Sequence, residues 1–419
     1  MVAVPPPGGA RAVARCDMLG VAPYSDMEGG LYRGYLTKAH EAAIEAVSGW
    51  MTDAGMTPRI DAARNLIGRY QGADDGAPAL LIGSHIDSVR DAGRYDGPLG
   101  IMLGIEVIDA LRRAGKQTPF PIEVIAFGDE EGSRFPAAML TSRAVAGLLN
   151  ADVLAVADSN GMTLADALSR LGVDVTHYLE AARPAGSVLA YLETHIEQGP
   201  VLEAEGLAVG TVTGIAAQLR LSVEVIGMAG HAGTASMPLR RDALAGAADM
   251  MLAIERIARE DISDLVATVG RIEALPGAPN VIPGEVRFTI DIRSGDAARR
   301  DRAAKDMIEA VSQIAVARGL DCAIERIHDL PASPCDPALM RLMDTALIDA
   351  GQAPFRLVSG AGHDAMVMAA LCPTAMLFVR CRAGISHNPA EHVDPADAEI
   401  ALQVMLGFID RLEAGFAGA

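Results

Sequence analysis

"ALLIGSHIDSVRDAGRYDG" occupies residues 79–97. Its first five residues, ALLIG, form a short continuous apolar run. Such a run suits a strand covered on both faces, as in an α/β sheet. The residues that follow are of another kind. His85 and Asp87 stand two apart, and Asp96 follows across a stretch rich in glycine and charge. A histidine and carboxylates gathered where a buried strand ends make a candidate metal site.

Two further apolar runs, IEVIAFG (122–128) and TAMLFV (374–379), read as strands of the same sheet, with helices expected over residues 98–115 and 133–148. The middle of the chain is patterned differently. In LRLSVEVIG, Leu219, Leu221, Val223 and Val225 alternate with Arg220, Ser222 and Glu224. In EVRFTIDIR, Val286, Phe288, Ile290 and Ile292 alternate with Arg287, Thr289, Asp291 and Arg293. Period-two alternation implies strands with one buried and one open face. Between them Leu244, Met251, Ile254 and Ala258 recur at helical spacing. A second helix is expected over 297–318 and a strand over 321–328. The reading is an α/β fold interrupted by a smaller α+β unit at residues 214–330, with residues 1–213 and 331–419 folding together. No internal repeat is evident, and the N-terminal PPPGG segment is expected to be mobile.

The chain has 419 residues, half of them hydrophobic, enough for two cores, and a formal charge of −19. With no basic run, nucleic-acid binding is disfavoured. Cys16, Cys322, Cys335, Cys372 and Cys381 are scattered without a CxxC pair, which reads as reduced thiols. The N-terminus has no signal-peptide core, and no apolar run approaches a membrane span. The expectation is a cytoplasmic protein without a membrane partner.

Three stretches join the opening one. FGDEEGSRF puts Glu130 and Glu131 just after an apolar strand; ETHIEQGP supplies His195; GISHNPAEH supplies His387. Imidazole nitrogens and carboxylate oxygens suit Zn or Mn, with Co or Ni also admitted. Two divalent ions about 3.5–4 Å apart need a bridging carboxylate, and Asp96 can serve. Asp87 can accept a hydrogen bond from His85 and fix its tautomer. Of the adjacent glutamates, one can bind metal while the other stays free as a base. Singly, each piece is more often structural: an HxD pair, a solvated Glu-Glu pair, a loop histidine.

Together, GSHIDSV, GRYDGPLG, DEEGSRF, THIEQGP, HAGT, SGAGHDA and ISHNPAE resemble the dinuclear metallopeptidase-like amidohydrolases of the M20 group, over nearly the whole chain. The chain looks most like the allantoate amidohydrolases and N-carbamoyl-L-amino acid hydrolases. The resemblance implies a dinuclear metallopeptidase-like catalytic domain with an inserted lid and dimerisation domain, and two divalent metal ions per subunit. His85, Asp96 and His195 would bind one ion, and Asp96, Glu131 and His387 the other. Glu130 would be the general base, with Asp87 beside it in the catalytic set. Peptidase relatives usually carry a carboxylate where His195 stands, so HIEQG favours the carbamoyl branch. The resemblance also implies a cis peptide between Asp96 and Gly97.

On the substrate side the resemblance points to Gln218, Asn280, Arg293 and the backbone amide of Gly362, and to His231 completing the site of the partner subunit in a homodimer formed through residues 214–330. Read from the residues alone, Arg293 is a surface ion pair with Asp291 or Asp296, Asn280 a turn residue, Gln218 a strand-edge polar residue and His231 a loop histidine. His363 would lie beside the site; His40, His177, His328 and His392 are left as structural. The expected substrate is a small ureido carboxylate. Allantoate, hydrolysed with release of ammonia and carbon dioxide, comes first; N-carbamoyl-L-amino acids are the alternative.

Overall fold

A computed structural model describes residues 5–416. The chain divides into two compact units: residues 1–213, 335–357 and 362–419 form one, and residues 214–334 with 358–361 the other. The expected border at 330 falls four residues before Pro334, and four residues near Gly360 belong to the second unit.

In the first unit the strands run in the order Thr57–Ile60, Leu66–Tyr70, Ile122–Phe127, Ala79–His85, Val188–Ile196, Thr374–Val379 and Val209–Ile215. The middle four are mutually parallel, and the outer pairings are antiparallel. Every residue of Ala79–His85, Ile122–Phe127 and Thr374–Val379 is buried, as their uninterrupted apolar runs require. The helix Pro98–Arg113 buries all but a few of its residues, among them Glu106. That buried carboxylate recruits Arg11, Arg15 and the backbone N–H of Gly8, while Gly9 donates to Glu399 at 2.7 Å. The segment expected to be mobile is thus tied down from Gly8 onward and continues into the helix Gly9–Leu19.

The helix expected over 133–148 shrinks to Leu140–Val145. Pro136 lies in the stretch, and Met139 takes a left-handed φ of 60° while its N–H turns back to the Glu130 carbonyl. The peptide after Asp96 is not cis; the cis bonds among the described residues precede Pro23 and Pro276. Gly97 makes the turn with a φ of 84° instead, a conformation open to a residue without a side chain.

The second unit is an antiparallel sheet ordered Ile272–Leu275, Glu285–Ser294, Ala217–Ile226, Asp321–Leu330, with helices Ala243–Glu260 and Ala297–Ala317. The two alternating strands pair in register, Ile292 opposite Leu219 and Arg293 opposite Gln218. Their apolar residues are buried and pack with both helices into one core. The first helix buries Ala243, Gly246, Ala247, Met250, Ala253 and Ile254, so Ile254 faces inward as expected while Leu244 is exposed and Met251 half-exposed. All five cysteines are free thiols. Among the described residues no helix is long and apolar enough to cross a membrane.

These burial contrasts set expected stabilities. Leu192→Ala, at a fully buried position in a central parallel strand, should cost about 2–5 kcal/mol in urea unfolding. Leu252→Ala, 63 % exposed on the second unit's helix, should stay within about 0.5 kcal/mol. Equal losses at the two positions would contradict this packing.

Candidate metal centre

The parallel strands end on the same side of the sheet, and the polar residues of the opening stretch and its companions gather there. His85 is the last residue of its strand, and His195 is the next to last of Val188–Ile196. Glu130 and Glu131 lie just beyond Phe127, and His387 sits in the loop after Val379 with a left-handed φ of 53°.

Asp96 is the hub. Its Oδ1 lies 3.1 Å from His195 Nε2 and 3.3 Å from His85 Nε2. Its Oδ2 lies 3.3 Å from His387 Nε2, which is itself 3.3 Å from Glu131 Oε1. The two Nε2 atoms of His85 and His195 face each other at 3.5 Å. Three groups of side chains thus bring their ligand atoms within 4.8 Å of one another: His85, Asp96 and His195; Asp96, Glu131 and His387; and His85, Glu130 and Glu131.

The outer nitrogens are already engaged. His195 Nδ1 lies 2.9 Å from the Ile196 carbonyl, and His85 Nδ1 lies 3.2 Å from the Asp87 carbonyl and 3.4 Å from its carboxylate. An Nδ1–H that donates outward leaves Nε2 as a lone pair. With Nε2 unprotonated, two lone pairs and a carboxylate oxygen converge, an arrangement that a bound cation satisfies, as protons on Nε2 do without one. This donor set fits two divalent cations, with one oxygen of Asp96 turned to each group.

The electrostatics state the same demand. Burial would raise the Asp96 carboxyl, yet hydrogen bonds from His195, His387 and His85 hold it well below the usual carboxylate range. Burial opposes charge on His85 and His195, but Asp87 and Asp96 lift the first well above its ordinary value and Asp96 raises the second. Burial lifts Glu130 well above the carboxylate range; His85 opposes and Glu131 adds to the rise. Burial likewise raises Asp129, Glu193 and Asp364. His363, whose ring packs edge-on at 4.4 Å from that of His195, is pushed well below its usual value by burial and by that neighbour.

Asp87 ties the ligands together: besides facing His85, its carboxylate accepts the backbone N–H groups of Glu130 at 3.0 Å and Glu131 at 3.2 Å. Gly362 adjoins Glu130, since a Cβ placed on it would stand 3.9 Å from Glu130 Oε1. The remaining candidates lie in the second unit. Arg293 donates from Nε and Nη2 to Asp291 at 2.7 and 3.1 Å, and from Nη1 to the Gly360 carbonyl. Gln218 and Arg220 donate to the same Asp291 carboxylate at 2.7 and 2.6 Å. The ion pair expected from the residues alone therefore exists, and it gathers Gln218 and Arg293 on the open face of the sheet. Burial works against the Asp291 carboxylate, but Arg293, Arg220 and Gln218 lower it to about 2. Exposed His231 pairs across a two-stranded ladder with Val281, next to Asn280, whose carbonyl accepts the N–H of Ala232.

Sequence reasoning missed several residues around Asp96. Gln198 and Ser386 both donate to its Oδ2. Glu391 accepts the backbone N–H of Asp96, and burial together with Asp96 pushes its carboxyl up to about 7. Arg33, fully buried, donates to the carbonyls of Ile86, Leu19 and Tyr24. Gln198, Ser386 and Glu391 lie inside quoted motifs (HIEQG, GISHNPAEH), but nothing in those strings separates a ligand from its support.

A pH test follows for the chelator-treated protein. There Asp96 and Glu131 raise the His387 imidazolium to about 10 from 6.5. The stability this pairing gives is fully present below about pH 6.5 and is lost as pH rises through about 10. Denaturation of wild type and His387→Ala should therefore show a gap at mildly acid pH that closes in alkali. A gap that widens with rising pH would contradict the pairing.

Residues 81–411 match the profile of Peptidase family M20/M25/M40. An allantoate deiminase of Arabidopsis thaliana is 42 % identical, over 95 % of this chain and 81 % of that one. An N-carbamoyl-L-amino acid amidohydrolase of Geobacillus stearothermophilus is 41 % identical, over 92 % and 94 %. A crystal structure of an amidase of the hydantoinase/carbamoylase family from Burkholderia multivorans superposes with a TM-score of 0.88 at 36 % identity, covering 96 % and 97 % of the two chains. The chain belongs to peptidase family M20/M25/M40, in the branch that holds these allantoate deiminases and N-carbamoyl-L-amino acid amidohydrolases.

Proposed function

We propose that this amidohydrolase hydrolyses one ureido group of allantoate: water breaks its C–N bond to release ammonia, and the carbamate left behind loses carbon dioxide to give a ureidoglycine-type amine. The observation that carries a hydrolytic reading is Asp96, with one oxygen toward His85 and His195 and the other toward His387. In this reading His85, Asp96 and His195 hold one divalent ion and Asp96, Glu131 and His387 the other; zinc or manganese suits the ligands, and cobalt or nickel is compatible. Such a pair of ions, when bound, polarises a carbonyl and lets water ionise near neutral pH.

The chain's own residues do the rest. Glu130, buried among the ligands, takes the proton of the attacking water and returns it to the departing nitrogen. Asp87 holds the Glu130 and Glu131 backbone and the His85 ring in one arrangement. In this reading the N–H of Gly362, a residue next to Glu130, donates to the substrate. Gln218, Asn280 and Arg293 recognise the substrate, Arg293 taking its carboxylate with a planar fork. His231 serves the partner subunit's site in a homodimer formed through the second unit. The similarity to N-carbamoyl-L-amino acid amidohydrolases supports a second reading that uses the same residues on a carbamoyl amino acid.

Two measurements check this. Side-by-side kcat/KM values should be higher for allantoate than for N-carbamoyl amino acids; the reverse order transfers the assignment to the second reading. Glu130→Gln should keep two metals per chain yet lose roughly 10²–10⁴-fold in rate, so full metal content with a near-normal rate would reject the proton-transfer role.

A further inference from the structure

Asp96 must turn its two oxygens in different directions, and its own side chain, with two rotatable bonds, does not ensure that. The support comes from the far end of the chain. Glu391 Oε1 accepts two successive backbone N–H groups, Tyr95 at 2.7 Å and Asp96 at 3.1 Å. Consecutive N–H groups aimed at one point make a concavity that binds an anion. The other oxygen, Oε2, lies 3.2 Å from Ser386 Oγ, and Ser386 also reaches Asp96 Oδ2. Ser386 directly precedes His387. The Glu391 side chain, 5 % exposed as a residue, fills the space that a side chain at Gly93 would need, so the two loops close on each other only with glycine there. The tight turn from His387 is completed by the Glu391 N–H bonded to the Asn388 carbonyl at 3.0 Å.

We infer that Glu391 is a positioning residue that locks the loop carrying Asp96 to the loop carrying His387, so that one carboxylate faces both cation sites at once. The inference rests on the two-cation reading of the centre. It makes a distinction by chemistry. The role needs an acceptor toward Tyr95 and Asp96 and a polar partner for Ser386; it does not need a negative charge. Glutamine meets both needs: its carbonyl accepts the two N–H groups, and its amide donates to Ser386 Oγ, whose own proton stays with Asp96. Alanine meets neither.

The test is divalent-ion affinity of the full-length chain, loaded with Zn²⁺ or Mn²⁺ and challenged with graded chelator, alongside the melting temperature of the stripped protein. Groups that orient metal ligands typically change affinity about 10–100-fold. Glu391→Ala should weaken retention by about that factor, and Glu391→Gln should restore it to within a few-fold. Gly93→Ala, which displaces the Glu391 side chain while leaving its carboxylate in the sequence, should weaken retention as Glu391→Ala does; it carries the comparison if Glu391→Ala does not fold. A purely structural role would lower the stripped protein's melting temperature and leave ion affinity alone, which would overturn the inference. Equal loss in Glu391→Ala and Glu391→Gln would overturn it too, since charge would then be the requirement. A wild-type chain that retains no divalent ion would fail at the earlier step, the two-cation reading, and take this inference with it.

Discussion

Three imidazole nitrogens and a second carboxylate crowd around buried Asp96, and positive charge among them is what such a cluster needs. That constraint organises the first unit. His85 and His195 turn their Nδ1 atoms outward to oxygen partners and their Nε2 atoms inward to Asp96. Around them lie further buried acids, Glu130, Asp129, Glu193 and Asp364, each raised by burial. So much acid in one place is costly in an apolar interior, and it is consistent with a centre built to hold cations.

The parallel sheet makes the cluster possible. Its four central strands point the same way, so the residues at their ends meet although they are distant in sequence, His387 from Asp96 above all. Strands buried on both faces are stiff anchors, while the loops beyond them carry the turns that aim the side chains. Left-handed residues mark those turns: Gly97 after Asp96, Gln198 after His195, and His387 itself. The second unit solves a different problem on an open sheet face. There Asp291 collects Gln218, Arg220 and Arg293, holding one edge of the Arg293 guanidinium and fixing its direction. Two arginines are set against that one aspartate.

Much of this was legible in the sequence because it follows from local pattern. Uninterrupted apolar runs give the covered strands, TAMLFV matching its strand residue for residue, and strict alternation gives the open-faced ones. The ligand candidates were legible because His85, Glu130 and Glu131 close or closely follow such runs and Asp96 and His387 lie in the loops beyond them. What was not legible depends on partners distant in the chain. The 133–148 helix failed on Pro136 and on a turn closed by the Glu130 carbonyl. The inward stripe of Ala243–Glu260 runs through Ala243, Ala247, Met250 and Ile254, so it is rotated away from Leu244 and Met251. The N-terminal segment is ordered by Glu106 and Glu399, and nothing near residue 8 announces them. Glu391 reads as one more loop acid until its two backbone donors, almost 300 residues earlier, are seen.

The central claim is that one carboxylate serves two cations. Counting metal per chain by mass spectrometry in Asp96→Ala, beside His387→Ala, tests it most directly. The shared-bridge account predicts that Asp96→Ala loses both ions, whereas His387→Ala, altering only the Asp96–Glu131 side, keeps one. A folded Asp96→Ala chain that still holds two divalent ions would contradict the account.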